Sequence, residues 1–217
     1  MVKKHILVVG LKTFGMSIVK QLAEYNCEVL AIDKEMDKVE DAAEYATHAI
    51  QVDIRNAEEI SELSLNSFDI AIITLDDIEA SIMASLIFKE NGIGTVIVKA
   101  KNSIHKRILE KMEVDKIISP EEEMGKKVAK SIMNVSIIDA INFSDDYSIL
   151  EINALEKWIG KTLAKLDLRN EYGMNVLCVK NHNKELEISP SQDYIVEKGD
   201  ILVAIVENSK TENTDLK

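Results

Sequence analysis

The sequence predicts an α/β protein, with a doubly wound parallel sheet followed by a second, small α+β domain. Three observations predict it. Short β-branched runs with no polar face recur between residues 5 and 118, spaced by helical stretches, and such strands belong to parallel sheets covered on both sides. The first run ends in a turn bracketed by two glycines, Gly10 and Gly15. After about residue 133 the alternation stops and strand signals dominate, which marks a separate domain.

The elements follow in order. His5-Ile6-Leu7-Val8-Val9 is a strand, and apolar residues at helical spacing from Phe14 to Leu22 follow it. Glu28 to Ile32 is a second strand, ending at Asp33, with a helix through Val39 and Tyr45. A strand at 49–52, a helix at about 56–63, a strand at 70–73 and a helix at 80–89 come next. A strand at 95–98, a helix at 103–112 and a strand at 116–118 complete six strands. Right-handed crossovers then give a Rossmann-like sheet. Pro120 stops the sixth strand, and Glu121-Glu122-Glu123 open a helix to about Met133, where acidic side chains suit the N-terminal dipole. Residues 1–133 are therefore expected as one domain, with this last helix as hinge, and 134–217 as the other. In the second domain the pattern predicts strands at 149–152, 176–179, 186–188, 193–196 and 201–206, and a helix from Trp158 to Leu166. His182-Asn183-Lys184 and Glu197 to Asp200 read as turns. Ser209 to Lys217 is polar and expected to fray.

Composition removes several function classes. The chain has 217 residues, 46% of them apolar and 29% charged, too apolar for a disordered segment. No apolar run approaches the ~18–20 residues of a membrane span, and the first residues carry no cleavage signal, so no direct membrane insertion is expected. Cys27 and Cys178 lie far apart in apolar segments and read as buried thiols of a cytosolic protein. With 26 basic against 38 acidic side chains the net charge is −12. That argues against nucleic acid, whose phosphates need a basic face, and against adhesion to an anionic bilayer.

The residues that carry chemistry begin in the turn Gly10-Leu11-Lys12-Thr13-Phe14-Gly15. A dinucleotide fingerprint puts glycine at its first, third and sixth positions. Here the third is Lys12, which can fold over an anion as a counter-charge or block the site. Asp33, 18 residues after Gly15, stands where a carboxylate accepts ribose hydroxyls, or caps the next helix. Asp53, Thr74, Asp76 and Lys99 sit at strand ends, on the edge where ligands bind in open α/β sheets. No nucleophile stands beside a histidine and no pair of histidines has metal-ligand spacing, so the chain reads as a binding protein and not an enzyme. In the second domain Arg169 and Asn175 offer planar donors beside the aliphatic Leu163, Leu168 and Val176, with Pro190 further on. That set suits a base and a phosphate, or a helix end with a Gly173 cap.

Several of these stretches together resemble the TrkA/KtrA family of bacterial potassium uptake regulatory subunits, built from RCK (regulator of potassium conductance) N- and C-terminal domains. They are Ile6 to Gly15, Asp33, Val98-Lys99-Ala100-Lys101-Asn102, Pro120-Glu121, and Asp167-Leu168-Arg169 with Tyr172-Gly173-Met174-Asn175. The resemblance runs from about residue 3 to 207. It implies a cytoplasmic protein, peripheral to the cell membrane through its partner. It also implies homodimers assembling into an octameric ring that docks on a membrane potassium channel or transporter of the Trk/Ktr type. It implies an ATP, ADP or NAD(H) site at Gly10, Lys12, Phe14, Gly15, Asp33, Lys34, Asp53 and Lys99, with Glu121 at a dimer interface. It further implies cyclic di-AMP at a C-terminal dimer interface, held by Leu163, Leu168, Arg169, Asn175, Val176 and Pro190. Lys12, Val52 and Leu75 stand where the family often has glycine, and each added side chain keeps backbone away from a ligand. With the carboxylates of Asp76 and Asp77 close by, the nucleotide fingerprint is expected to be degenerate. The alternatives from residues alone are an NAD-dependent oxidoreductase domain and an oligomerisation module without ligands.

Overall fold

The computed structural model describes residues 3–25, 27–133, 137–144 and 146–211. The chain divides into two compact units, Met1–Pro120 and Glu121–Lys217.

The first unit carries β1 (His5–Val9), α1 (Thr13–Glu24), β2 (Glu28–Asp33), α2 (Met36–Ala43), β3 (His48–Gln51), α3 (Ala57–Ser61), β4 (Ile70–Ile73), α4 (Ile78–Glu90), β5 (Thr95–Lys99), α5 (Ser103–Lys111) and β6 (Lys116–Ile118). The strands form one sheet in the order β3-β2-β1-β4-β5-β6, all parallel. This is the doubly wound, Rossmann-like order, with its direction of winding reversed between β1 and β4. Alternation along β1 builds both faces. Leu7 and Val9 join a core with Ile32, Phe88, Val96, Val98 and Leu109. Ile6 and Val8 join the opposite core with Val19, Val29, Ala31 and Val39. Strands buried on both faces cannot tolerate a one-residue slip, so the apolar runs fix the register. Val8 accordingly lies beside Ala31 on one side and Ile72 on the other.

The helix α6 (Pro120–Met133) follows. The division at Pro120 puts it with the second unit, 13 residues before the boundary expected at 133. Residues 134–136, where the expected second domain begins, lie outside the described residues.

The second unit continues with β7 (Ile137–Asn142), β8 (Tyr147–Asn153), α7 (Leu163–Leu166), α8 (Leu168–Tyr172), β9 (Met174–Lys180), β10 (Leu186–Ile188), β11 (Ile201–Glu207) and α9 (Asn208–Thr211). Its five strands run in the order β10-β9-β11-β8-β7 and every pair is antiparallel. Trp158, 1% exposed, sits in its core with Leu166, Leu168, Met174, Val179 and Leu202. The Trp158 ring meets Tyr172 edge to face, with centroids 5.5 Å apart, a geometry the aromatic quadrupoles favour.

Three expectations for this unit are corrected. The helix from Trp158 to Leu166 is broken into a 3-10 turn (Glu156–Trp158) and α7, because Gly160 takes φ +77° between them. Residues 193–196 are not a strand. Tyr194 closes a turn onto Ser191, and pairing is confined to one bridge, Thr162 to Ile195. The strand β7 was not anticipated. It pairs only with β8, through an irregularity between Ile137 and Asp139, so its sequence lacks the two-sided apolar signature. Of the polar tail, α9 reaches Thr211, and 212–217 lie outside the described residues.

Candidate functional site

The site in the first unit is set by the turn after β1. Gly10 takes φ +91°, a conformation that costs residues with a Cβ. Gly15, in the first turn of α1, lies against the Gly10 carbonyl. A Cβ built there would stand 1.9 Å from that oxygen, so only glycine lets helix and strand approach this closely. Thr74, at the end of β4, donates its hydroxyl to the Gly10 carbonyl at 2.6 Å and fixes the turn to the neighbouring strand.

Asp33, 8% exposed, occupies the end of β2 and holds two backbone amides. Its Oδ2 accepts from Leu11 N–H at 2.6 Å and its Oδ1 from Glu35 N–H at 3.0 Å. It does not cap α2, whose N-cap is Glu35. Each carboxylate oxygen keeps a further lone pair for a ligand hydroxyl.

These elements line an open cleft at the carboxyl ends of the strands, beside the β1/β4 reversal. Of the residues expected at a nucleotide, Gly10, Lys12, Asp33, Lys34 and Asp53 line it. Gly15 is buried beneath the turn and Phe14 is half-buried in α1. Glu121 lies in the first turn of α6, in the second unit, and is not among the lining residues.

The helix N-termini around the cleft differ. Asn56 and Asp77 cap α3 and α4 through their own side chains, and α2, which follows the lining residue Glu35, has no side-chain cap but carries Asp37 in its first turn. The first turn of α1 has no side-chain cap and no acidic residue. Its N-cap residue, Lys12, lines the cleft, which leaves the uncapped N–H groups and their share of the dipole next to it.

The charges at the mouth were read singly in the sequence, and the structure joins them. Lys12 Nζ lies 3.1 Å from Asp76 Oδ2, and Lys99 Nζ lies 3.0 Å from Asp76 Oδ1. The Lys99 side chain is only 8% exposed. The hydrogen bonds from Lys99 and then Lys12 hold the Asp76 carboxyl below the usual range, and the Asp76 contact raises Lys12 in turn. Asp77 is held low by the Ala80 N–H it caps and by Arg55, with which it forms an ion pair. Arg55 lines the cleft and was not singled out from sequence. Its only signal is its place just after β3, on the ligand edge of the sheet.

In the second unit the expected ligand residues fall on neighbouring segments. Asn175 and Val176 lie on β9, and Pro190 follows β10, which is tied there by Ser189 N–H to the Leu177 carbonyl at 2.8 Å. Arg169, in α8, is exposed, as is Asn175. Gly173 ends α8 with φ +66°, donating to the Arg169 carbonyl. Leu163 is half-buried and Leu168 is buried in the core of the unit.

The other chemistry-bearing residues have structural surroundings. His105 is fully buried, accepts Lys101 N–H on Nδ1 at 3.2 Å, and is pushed down in pKa by burial. Cys27 and Cys178 are free thiols. Among the described residues, no group of three or more His, Cys, Asp or Glu could hold a metal ion, and no helix is long and apolar enough to cross a membrane.

Known proteins match the chain along nearly its whole length. The TrkA-N domain family matches residues 6–120 and the TrkA-C domain family residues 147–214. Ktr system potassium uptake protein C of Bacillus subtilis is 38% identical, covering 94% of this chain and 92% of that protein. Ktr system potassium uptake protein A of the same organism is 37% identical over 92% of this chain and 90% of its own length. Ktr system potassium uptake protein A of Vibrio alginolyticus is 32% identical over 97% and 96%. Among solved structures, the GsuK RCK domain superposes with a TM-score of 0.65 at 15% identity, covering 97% of this chain. The chain spans 46% of that longer one, and the likeness is one of fold.

Proposed function

The chain belongs to the family of potassium uptake proteins that join a TrkA-N to a TrkA-C domain, and from that premise we propose that it is the regulatory, gating subunit of a Trk/Ktr-type uptake system. A nucleotide binds the cleft of the first unit, cyclic di-AMP binds the second unit at a dimer interface, and the protein acts on a membrane potassium subunit as an octameric ring of homodimers. The observation that carries the nucleotide reading is the uncapped first turn of α1, opening into a cleft at the sheet's reversal point with Asp33 on the adjacent strand end. That pairing of anion-binding amides with a hydroxyl-accepting carboxylate is what a nucleotide's phosphate and ribose require. Gly10 and Gly15 shape the turn. Phe14, Lys34, Asp53 and Lys99 frame the site, and Glu121 serves the dimer interface.

The reading of the second unit is supported by the exposure of Arg169 and Asn175 near the Val176–Pro190 junction. Across a two-fold axis such a patch occurs twice facing itself, which matches a ligand with its own two-fold symmetry and two phosphates. Ligands act by their differential affinity for two arrangements of the assembly, not by catalysis.

Calorimetric titration of cyclic di-AMP into the wild type and Arg169→Ala tests this. Binding is expected for the wild type, with at least about a tenfold loss in the variant, the cost of a charge-assisted phosphate contact. Absence of binding to the wild type at tens of micromolar removes the ligand assignment.

A further inference from the structure

The cleft carries its own anion. Asp76 places one carboxylate oxygen on Lys12 and the other on Lys99, at 3.1 and 3.0 Å. Lys12 sits at the position before α1, where a phosphate on the open helix end would meet it. A carboxylate between two cations presents the charge and donor-accepting geometry of a phosphate. A further cation, Arg55, is likewise held by a carboxylate, that of Asp77. The cleft's charged lining comprises three cations, Lys12, Lys34 and Arg55, and five carboxylates.

Resting on the reading of this cleft as a nucleotide site, we infer that Asp76 is its specificity-determining residue, an internal counter-anion that selects nucleoside ligands carrying few phosphate charges over nucleoside triphosphates. The selection is electrostatic. A phosphate that reaches Lys12 must share that cation with Asp76 or push the carboxylate aside. Pushing it aside strips a partner from the nearly buried Lys99, and burying a charge with its pairing weakened is costly. Sharing it sets like charges a few ångströms apart in a partly desolvated cleft, where repulsion is much stronger than in water. Each added phosphate charge enlarges the penalty, whereas the base and the ribose on Asp33 do not feel it. The amides at the start of α1 remain able to take one phosphate group. The cleft therefore suits a nucleoside monophosphate or a diphosphate ester in which the charge is spread between two nucleosides. Asp76 stays charged at neutral pH, because both lysines favour its ionised form.

The test is a metal-free calorimetric series of adenosine, AMP, ADP and ATP, in chelator, on the wild type and on Asp76→Asn. For the wild type, affinity is expected to stay level or fall from AMP to ATP. In Asp76→Asn, ATP is expected to tighten at least about tenfold, the scale of one unit charge removed at close range, while adenosine changes by less than twofold. The wild-type series decides on its own if the variant folds poorly: affinity climbing tenfold or more from AMP to ATP overturns the inference. So does a variant that tightens adenosine as much as ATP. In both cases the nucleotide reading stands. If none of the four compounds binds either folded protein, that reading falls and the inference with it.

Discussion

The contact between Gly15 and Gly10 allows a quantitative prediction. Replacing Gly15 with Ala adds one methyl group, whose carbon would stand 1.9 Å from the Gly10 carbonyl oxygen and 2.6 Å from Thr74 Oγ1. Carbon and oxygen rest at about 3.3 Å in close protein contacts, so backbone must move by about 1.4 Å. The atom in the way belongs to a turn that is itself at positive φ and bonded to Thr74, so it cannot rotate aside as a side chain does. Overpacking of this kind costs about 1–3 kcal/mol, and loss of the Thr74 hydrogen bond about 1 kcal/mol more. The helical preference of Ala over Gly returns about 0.5–1 kcal/mol. The net is about 1–3.5 kcal/mol of destabilisation, or about 2–14 °C in melting temperature for a chain of this size. Thermal unfolding followed by far-ultraviolet circular dichroism reads it. Gly125→Ala is the internal comparison, because a Cβ there meets nothing within 4 Å. In α6 it is expected to raise the melting point by about 1–3 °C through helix propensity alone. If Gly15→Ala melts within about 2 °C of the wild type, the argument that this glycine is sterically required is wrong.

Two pH dependences follow from the ion pairs and a half-buried phenol. The Asp76 carboxyl is lowered in the folded protein, so it contributes stability above its unfolded pKa of about 3.9, lost as pH falls through the folded value. The melting gap between wild type and Asp76→Asn is expected to be widest near neutrality and to narrow below about pH 4, and a gap unchanged down to about pH 2.5 would contradict the pairing. At the other extreme, burial and a hydrogen bond to Asp200 at 2.9 Å raise the Tyr194 phenol well above its ordinary value. A raised acid favours the fold below its unfolded pKa of about 10 and loses that contribution as pH rises further, so alkaline destabilisation is expected to begin above about pH 10. Tyr194→Phe should flatten that alkaline limb, and an identical limb in the variant would show that the phenol does not drive it.

What the sequence made legible was local or periodic. Leu7, Val9, Ile6 and Val8 announce a doubly covered strand because their alternation carries no polar face. Gly10 and Gly15 announce the turn because each answers a backbone need within one βα step, and Asp33 is marked by its place at the end of the next strand. The strand β7 was illegible because an edge strand paired on one side needs no such pattern. Trp158, Leu163 and Leu166 do share a core, which makes their spacing look helical, but Gly160 turns the chain between them. In the site, the bond from Lys12 to Asp76 joins residues 64 positions apart, and that from Lys99 to Asp76 joins residues 23 apart. Such pairings depend on the order in which strands are laid side by side, and no short motif records that order. Arg55 gives no sequence signal for the same reason, since its partner Asp77 sits 22 residues away.

The bare first turn of α1 has a consequence for the protein's lifetime. A helix end completed only from solution leaves part of the fold's free energy in the hands of the surrounding metabolites. Anything that occupies it raises the cost of opening the neighbouring turn, and proteases act on what opens. If a nucleotide fills the cleft as proposed, its concentration sets how long the chain survives as well as how it acts, coupling abundance and activity to one small molecule.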